Sequence, residues 1–127
     1  MFNFARETKM KDTLSEVSKK VIQFRDARDW KQFHDPKNLA EAISIESGEL
    51  LENFLWTTTD KSYNVDNQKL EAIKEEIADI MIFLIYLCHG LKIDLVQAVE
   101  RKIEINQKKY PIEKARGSSK KYKEFSL

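Results

Sequence analysis

Chain breakers are scarce. The 127 residues include 3 Gly and 2 Pro, whereas a β-sandwich or barrel needs a tight turn about every 8–12 residues. Helices joined by few connections suit this sequence, and it reads as four of them. Thr13 and Glu16 have capping-box spacing, in which the hydroxyl takes the third helical N–H and the Glu reaches back. Helix 1 then runs to about Trp30, with Leu14, Val17, Val21 and Phe24 as its apolar stripe. Asp35-Pro36 is an N-cap followed by Pro at the first helical position, where a missing N–H costs nothing. Helix 2 extends to about Trp56. The polar stretch from Thr57 to Asp66 is a loop. Helix 3 covers about Asn67 to His89, with Gly90 as the residue just past its end. Asp94 and Gln97 open helix 4, which ends near Tyr110-Pro111, and the basic tail from Ile112 to Leu127 is expected to be extended. The expectation is an all-α four-helix bundle in one domain over 1–127, with a core of about 13–111 and a tail of 112–127.

Composition narrows the setting. Hydrophobic residues are 42% and charged residues 34%, as in a folded soluble domain. One cysteine excludes an internal disulfide framework and a cysteine-based zinc cluster. Met1 to Lys11 mixes charge with two Phe and lacks the apolar core of a leader. The longest apolar run, Ile80 to Cys88, falls well short of the roughly 20 residues that a membrane span needs. A reduced, cytoplasmic setting with no membrane partner is therefore expected.

Charge is unevenly placed. Residues 1–36 carry a net +2, residues 37–100 a net −7 and residues 101–127 a net +6. An acidic middle before a basic end fits opposed charged surfaces, and it also fits carboxylates for a cation followed by cations for an anion.

The positions of the acids are the anomaly. At about 100° per residue, Leu39, Ile43, Leu50 and Phe54 fall in one stripe of helix 2 about 60° wide, and Glu46 lies at its edge. Glu49 lies about 60° further round. On helix 3 the stripe is Ile73, Ile77, Ile80 and Leu84, with Glu76 about 60° from its centre and Asp79 about 120°. Each helix thus offers an acid pair at i, i+3, Glu46/Glu49 and Glu76/Asp79, on one face. In an antiparallel hairpin both pairs sit about 13–15 Å from the turn. Four facing carboxylates repel unless a cation holds them, and an all-oxygen site suits Mg²⁺ or Mn²⁺. Ordinary surface acids satisfied by Lys or Arg are the alternative. A di-iron bundle would want Glu-x-x-His pairs, and neither His34 nor His89 follows a Glu by three.

The ordered set Asn38-Leu39, Glu46-Ser47-Gly48-Glu49-Leu50, Phe54-Leu55-Trp56 and Glu75-Glu76-Ile77-Ala78-Asp79 resembles the all-α nucleoside triphosphate pyrophosphohydrolases of the MazG-like superfamily. It is flanked by Arg28-Asp29-Trp30 and Gln32-Phe33-His34, then by Lys102, Ile105-Asn106, Lys109-Tyr110-Pro111, Ala115-Arg116, Ser118-Ser119 and Lys121-Tyr122. The resemblance spans about 13–125 and is greatest to the dCTP pyrophosphatase branch. It implies Mg²⁺-dependent hydrolysis of a (deoxy)nucleoside triphosphate, dCTP favoured, to the monophosphate and pyrophosphate. It also implies Glu46, Glu49, Glu76 and Asp79 as metal ligands, and Glu46 or Glu49 as the residue that orients the attacking water. By the same resemblance Trp30, His34, Asn38, Trp56 and Phe83 serve the base and sugar, and Lys102, Asn106, Lys109 and Tyr110 the phosphates or sugar. Two positions depart from dCTP-preferring relatives: Val21 stands where they carry His, and Phe83 where they carry Tyr. Each change removes a polar group able to read the base.

A helix apolar on all sides should be buried on all sides. The run Ile80 to Cys88 is such a stretch, so a homo-oligomer, dimer or tetramer, is expected, as the family also implies. Two other functions fit parts of the sequence: a non-catalytic helical adaptor whose carboxylates bind Ca²⁺ or form salt bridges, and a nucleic-acid-binding module using the basic tail. A metal requirement with pyrophosphate release separates the hydrolase from both, and steep salt-dependent binding would mark the third. With a net charge of +1, nucleic acid is not the expected partner.

Overall fold

The computed structural model describes residues 13–126, and the N-terminal stretch Met1–Lys11 lies outside them. Every regular element within the described residues is helical: α1 (Leu14–Asp26), α2 (Pro36–Glu52), α3 (Asn67–Leu91), α4 (Leu95–Lys109) and a single-turn α5 (Ile112–Ala115). Short 3₁₀ turns occupy Lys31–Phe33, Thr59–Lys61 and Tyr122–Ser126. None of these helices is long and apolar enough to cross a membrane.

The starts follow from local capping chemistry. The Thr13 hydroxyl accepts from the Glu16 N–H while the Glu16 carboxylate accepts from the Thr13 N–H. Asp35, Asp66 and Asp94 accept from the amides of Asn38, Lys69 and Gln97, satisfying N–H groups that have no partner inside the helix.

The ends differ from the sequence expectation. Helix α1 stops at Asp26 rather than near Trp30, because the Trp30 N–H folds back to the Arg25 carbonyl with Asp29 at φ 52°. Helix α2 stops at Glu52 and passes through a turn in which Trp56 adopts φ 63°. Helix α3 continues through Gly90 to Leu91, and Lys92 takes the left-handed position at φ 56°. The tail is not simply extended: it forms α5, turns at Gly117 with φ 72°, and enters the last 3₁₀ turn.

Two compact units divide the chain, one ending at Lys92 and one beginning at Ile93. In the first, α3 packs chiefly on α2 and also on α1. His34, just before α2, meets Phe83 and Tyr86 in the second half of α3. Asn53, just after α2, shares a depression with Lys69 in the first turn of α3. The pair is therefore antiparallel. Leu39, Ile73, Ile85 and Tyr86 are the buried apolar residues.

The seams of α1 and α3 are rotated from the expected stripes. On α3, Ile77 is 54% exposed, whereas its neighbour Glu76 is half-buried. The packed row is Ile73, Glu76, Ile80 and Phe83, alternating three and four residues as packed helices require. On α1, Phe24 is exposed and Arg25 is buried. Of the run Ile80–Cys88, the single chain buries only Ile85 and Tyr86 fully.

In the second unit, Tyr110 caps α4 and points edge-on to Tyr122 and Phe125, with centroids 6.0 and 5.8 Å apart. The Lys109 ammonium sits 4.9 Å from the Tyr122 ring centre, a cation–π contact.

Candidate active site

Three of the four acids singled out by their spacing come together. Glu46 and Glu49 sit one turn apart in the second half of α2, and Glu76 projects from the seam of α3. One carboxylate oxygen from each lies within 4.8 Å of the others. Asp79 stands outside that triplet but close enough for its charge to act on Glu46. Beside the cluster is an open depression of about 340 Å³ lined by Glu49, Glu52, Asn53, Lys69, Ala72 and Glu76.

The electrostatics of Glu46 are unusual. Its pKa is pushed up to about 7, first by a side-chain hydrogen bond with Glu76, then by partial burial and by the charges of Glu49, Asp79 and Glu76. Yet Glu46 Oε2 and Glu76 Oε2 are both buried without a donor. The two facts agree once the proton is placed. Two ionised carboxylates are acceptors only, so a bond between them exists only when one keeps a proton. A buried, unpartnered carboxylate oxygen on each of two helices is costly, and a divalent cation supplies what both lack. Hard oxygen ligands at this spacing fit such an ion.

A second cluster of side chains lies in the same unit, around the 3₁₀ turn that precedes α2. Trp30 packs edge-on to Phe24 and to His34, with centroids 5.8 and 6.4 Å apart. His34 meets the edge of Phe83 at 6.2 Å and stacks on Tyr86 at 5.1 Å and 25°. The Asn38 amide donates to the Phe33 carbonyl at 3.1 Å and to Asp35 at 2.8 Å, so it fixes the turn carrying His34 onto the start of α2. Trp30, His34, Asn38 and Phe83 are thus brought into one neighbourhood. Trp56 is held apart from such packing: its ring is 94% exposed.

Lys102, Asn106 and Lys109 lie on exposed positions of α4 at i, i+4 and i+7, and Tyr110 is half-buried at its end. Sequence reasoning missed Arg25 and Tyr86, which are buried in the aromatic cluster. Arg25 had one signal, its place four residues after Val21 on the apolar side of α1. Tyr86 had none, since it stood in a uniformly apolar run.

Residues 42–125 match the MazG-like family. Over 126 residues the chain is 38% identical to dCTP pyrophosphatase 1 of Homo sapiens, covering 98% of this chain and 72% of that protein. It is 37% identical over 123 residues to the Bos taurus protein of the same name, covering 95% and 70%. Among solved structures, a pyrophosphatase from Archaeoglobus fulgidus superposes with a TM-score of 0.73 at 44% identity, covering 77% of this chain and 92% of that one.

Proposed function

This chain belongs to the MazG-like family, and from that premise we propose a Mg²⁺-dependent enzyme that favours dCTP and acts on the cytoplasmic nucleotide pool. The chain is a nucleoside triphosphate pyrophosphohydrolase. The observation that carries the metal requirement is the convergence of Glu46, Glu49 and Glu76, with two buried oxygens lacking donors. Asp79 completes the proposed ligand set. A divalent cation there, Mg²⁺ or Mn²⁺ in its place, neutralises phosphate oxygens and stabilises the charge of the in-line transition state.

The residues divide the remaining work. Glu49 is exposed at the depression, where water reaches it, and it orients the attacking water. Glu46 is half-buried between the helices and serves the cation. The water oxygen bonds to one of the two phosphorus atoms of the α–β anhydride as the bond from that phosphorus to the bridging oxygen breaks, and the proton that the water loses passes to solvent, giving the monophosphate and pyrophosphate. Trp30 and Trp56 offer ring faces on which a base stacks without being chosen. His34, Asn38 and Phe83 shape the base site. Lys102, Asn106, Lys109 and Tyr110 are assigned to the phosphates and sugar by the family resemblance.

A panel of dCTP, dTTP, dUTP, dATP and dGTP at one Mg²⁺ concentration tests this. Pyrophosphate is the expected product, with dCTP among the better substrates. Because Val21 and Phe83 cannot hydrogen-bond a base through their side chains, the preference for dCTP is expected to stay below about 10⁴-fold. Inorganic phosphate as the first product, or no turnover by folded, metal-loaded protein, rejects the proposal.

The assembly is proposed to be a dimer at least, with a tetramer expected. Ile45, Leu51, Leu55, Ile77 and Met81 are all exposed on the first unit of the single chain, and association would cover apolar side chains of this kind. Sedimentation at micromolar concentration checks this, and a folded 15.0 kDa species contradicts it.

A further inference from the structure

The aromatic cluster has a second tier beneath His34. Tyr86 is 3% exposed, and its hydroxyl donates to the Val21 carbonyl at 2.7 Å across 65 residues of sequence. Arg25 is also 3% exposed, and its guanidinium lies 5.3 Å from the centre of the Tyr86 ring. Burying a guanidinium is expensive unless it is paired. The pairing here is local: Arg25 Nε and Nη2 both reach the same Asp26 oxygen at 2.9 Å. The Tyr86 ring is thus held at two points, by a tether from its hydroxyl to α1 and by a cation packed against it.

On this fixed ring lies the His34 imidazole, stacked at 5.1 Å and 25°. Phe83 and Trp30 meet it edge-on. A ring confined this way keeps its plane, so the plane in which its two nitrogens lie is set. One of them, Nδ1, is buried and has no hydrogen-bond partner. A buried polar atom left unpaired calls for an explanation, and a ligand group is one. Burial, then the charge of Arg25, holds the His34 pKa below its ordinary value. The neutral ring has one donor and one acceptor nitrogen, the pair needed to read the polar edge of a base.

We propose that Tyr86 and Arg25 are positioning residues for nucleobase recognition: they fix the plane of His34 so that its unpartnered nitrogen meets a polar edge atom of the base. This rests on the nucleoside triphosphate function above. It also accounts for base reading in a pocket that has Val21 and Phe83, since the polar group is His34 and the residues that aim it lie behind it. Tyr86 touches no reacting atom. Its effect is on base choice.

The test uses the full chain with His34→Ala, Tyr86→Leu, Tyr86→Phe and the double variant His34→Ala/Tyr86→Leu. Leu fills much of the buried volume without offering a flat ring, and Phe keeps the ring while removing the tether. The measured quantity is kcat/KM for the best base divided by that for the worst. His34→Ala and Tyr86→Leu are each expected to lower this ratio about tenfold, mainly through KM. The double variant is expected to lower it no further than His34→Ala alone, because both act through one contact. Tyr86→Phe is expected to retain more of the ratio than Tyr86→Leu. An equal loss on every base in Tyr86→Leu, or additive losses in the double variant, overturns the proposal.

Imidazole ¹⁵N shifts give a readout independent of turnover. Adding dCMP to the wild-type protein is expected to move the His34 Nδ1 signal, and to move it less in Tyr86→Leu. An unmoved signal with dCMP bound overturns the proposal. A moved signal in a protein that turns over no triphosphate rejects the hydrolase function and keeps the His34 contact. Turnover with an unaltered base ratio in Tyr86→Leu does the reverse.

Discussion

Glu46→Gln is expected to cost about 10³-fold or more in turnover while making the metal-free protein more stable at pH 8. The first effect follows from losing an anionic ligand between α2 and α3: several kcal/mol of charge stabilisation depends on the cation held there. The second follows from linkage. The Glu46 carboxyl has a pKa of about 7 in the folded chain against an ordinary value of 4.5, so between these values the folded state binds more protons than the unfolded one. Its stabilising contribution is full below about pH 4.5 and is lost as the pH rises through 7. Gln carries no proton to lose, and its amide can donate to the Glu76 oxygen that lacks a donor. Urea unfolding in EDTA at pH 5 and pH 8 is therefore expected to show a fall for the wild type and a smaller fall for the variant. Excess Mg²⁺ is expected to raise the wild type above the variant at pH 8, because a ligand that binds only the folded state stabilises it. Near wild-type turnover at saturating Mg²⁺ contradicts the metal assignment.

Leu39→Ala is expected to cost about 2–5 kcal/mol of folding free energy. Leu39 is 2% exposed and is the largest fully buried side chain of the described residues. It stands in the first turn of α2, with its amide closed onto the Asp35 carbonyl at 3.0 Å. Against a typical total of about 5–15 kcal/mol, such a loss is severe. Urea unfolding at one fixed protein concentration measures it, since association also contributes to apparent stability. A change under about 1 kcal/mol contradicts the expectation and means that the site collapses around the smaller side chain.

The helix starts were legible because each depends on two or three neighbouring residues. Thr13 with Glu16, Asp35 with Pro36, and Asp94 with Gln97 act through bonds that the local sequence alone specifies. The ends were less legible. Gly90 looks like a terminator, yet nothing forces a glycine to leave a helix, and Lys92 takes the left-handed turn instead. Trp30 and Trp56 look like last helical residues, and each follows a turn that closes the helix earlier.

The acid site was legible for a stronger reason. Glu46 among Leu39, Ile43 and Leu50 breaks a pattern, and a broken pattern marks a site where stability gives way to another demand. Hydrophobic periodicity failed where polar and apolar neighbours exchange places. It assigned Ile77 and Phe24 to the core, and the structure turns Glu76 and Arg25 inward beside them. Such rotations of a few tens of degrees are set by partners on other helices, which the chain's own spacing does not contain.

Trp56 shows what this arrangement asks of the sequence over time. A bulky residue in the left-handed region at φ 63° carries a backbone cost of about 1–2 kcal/mol that glycine would not. Its ring, 94% exposed, recovers none of that through packing within the single chain. Selection for heat resistance of the isolated chain would therefore drive position 56 toward Gly or Asn. A tryptophan that persists there is held by pressures other than the folding of one subunit, and libraries ranked on melting temperature alone would discard it first.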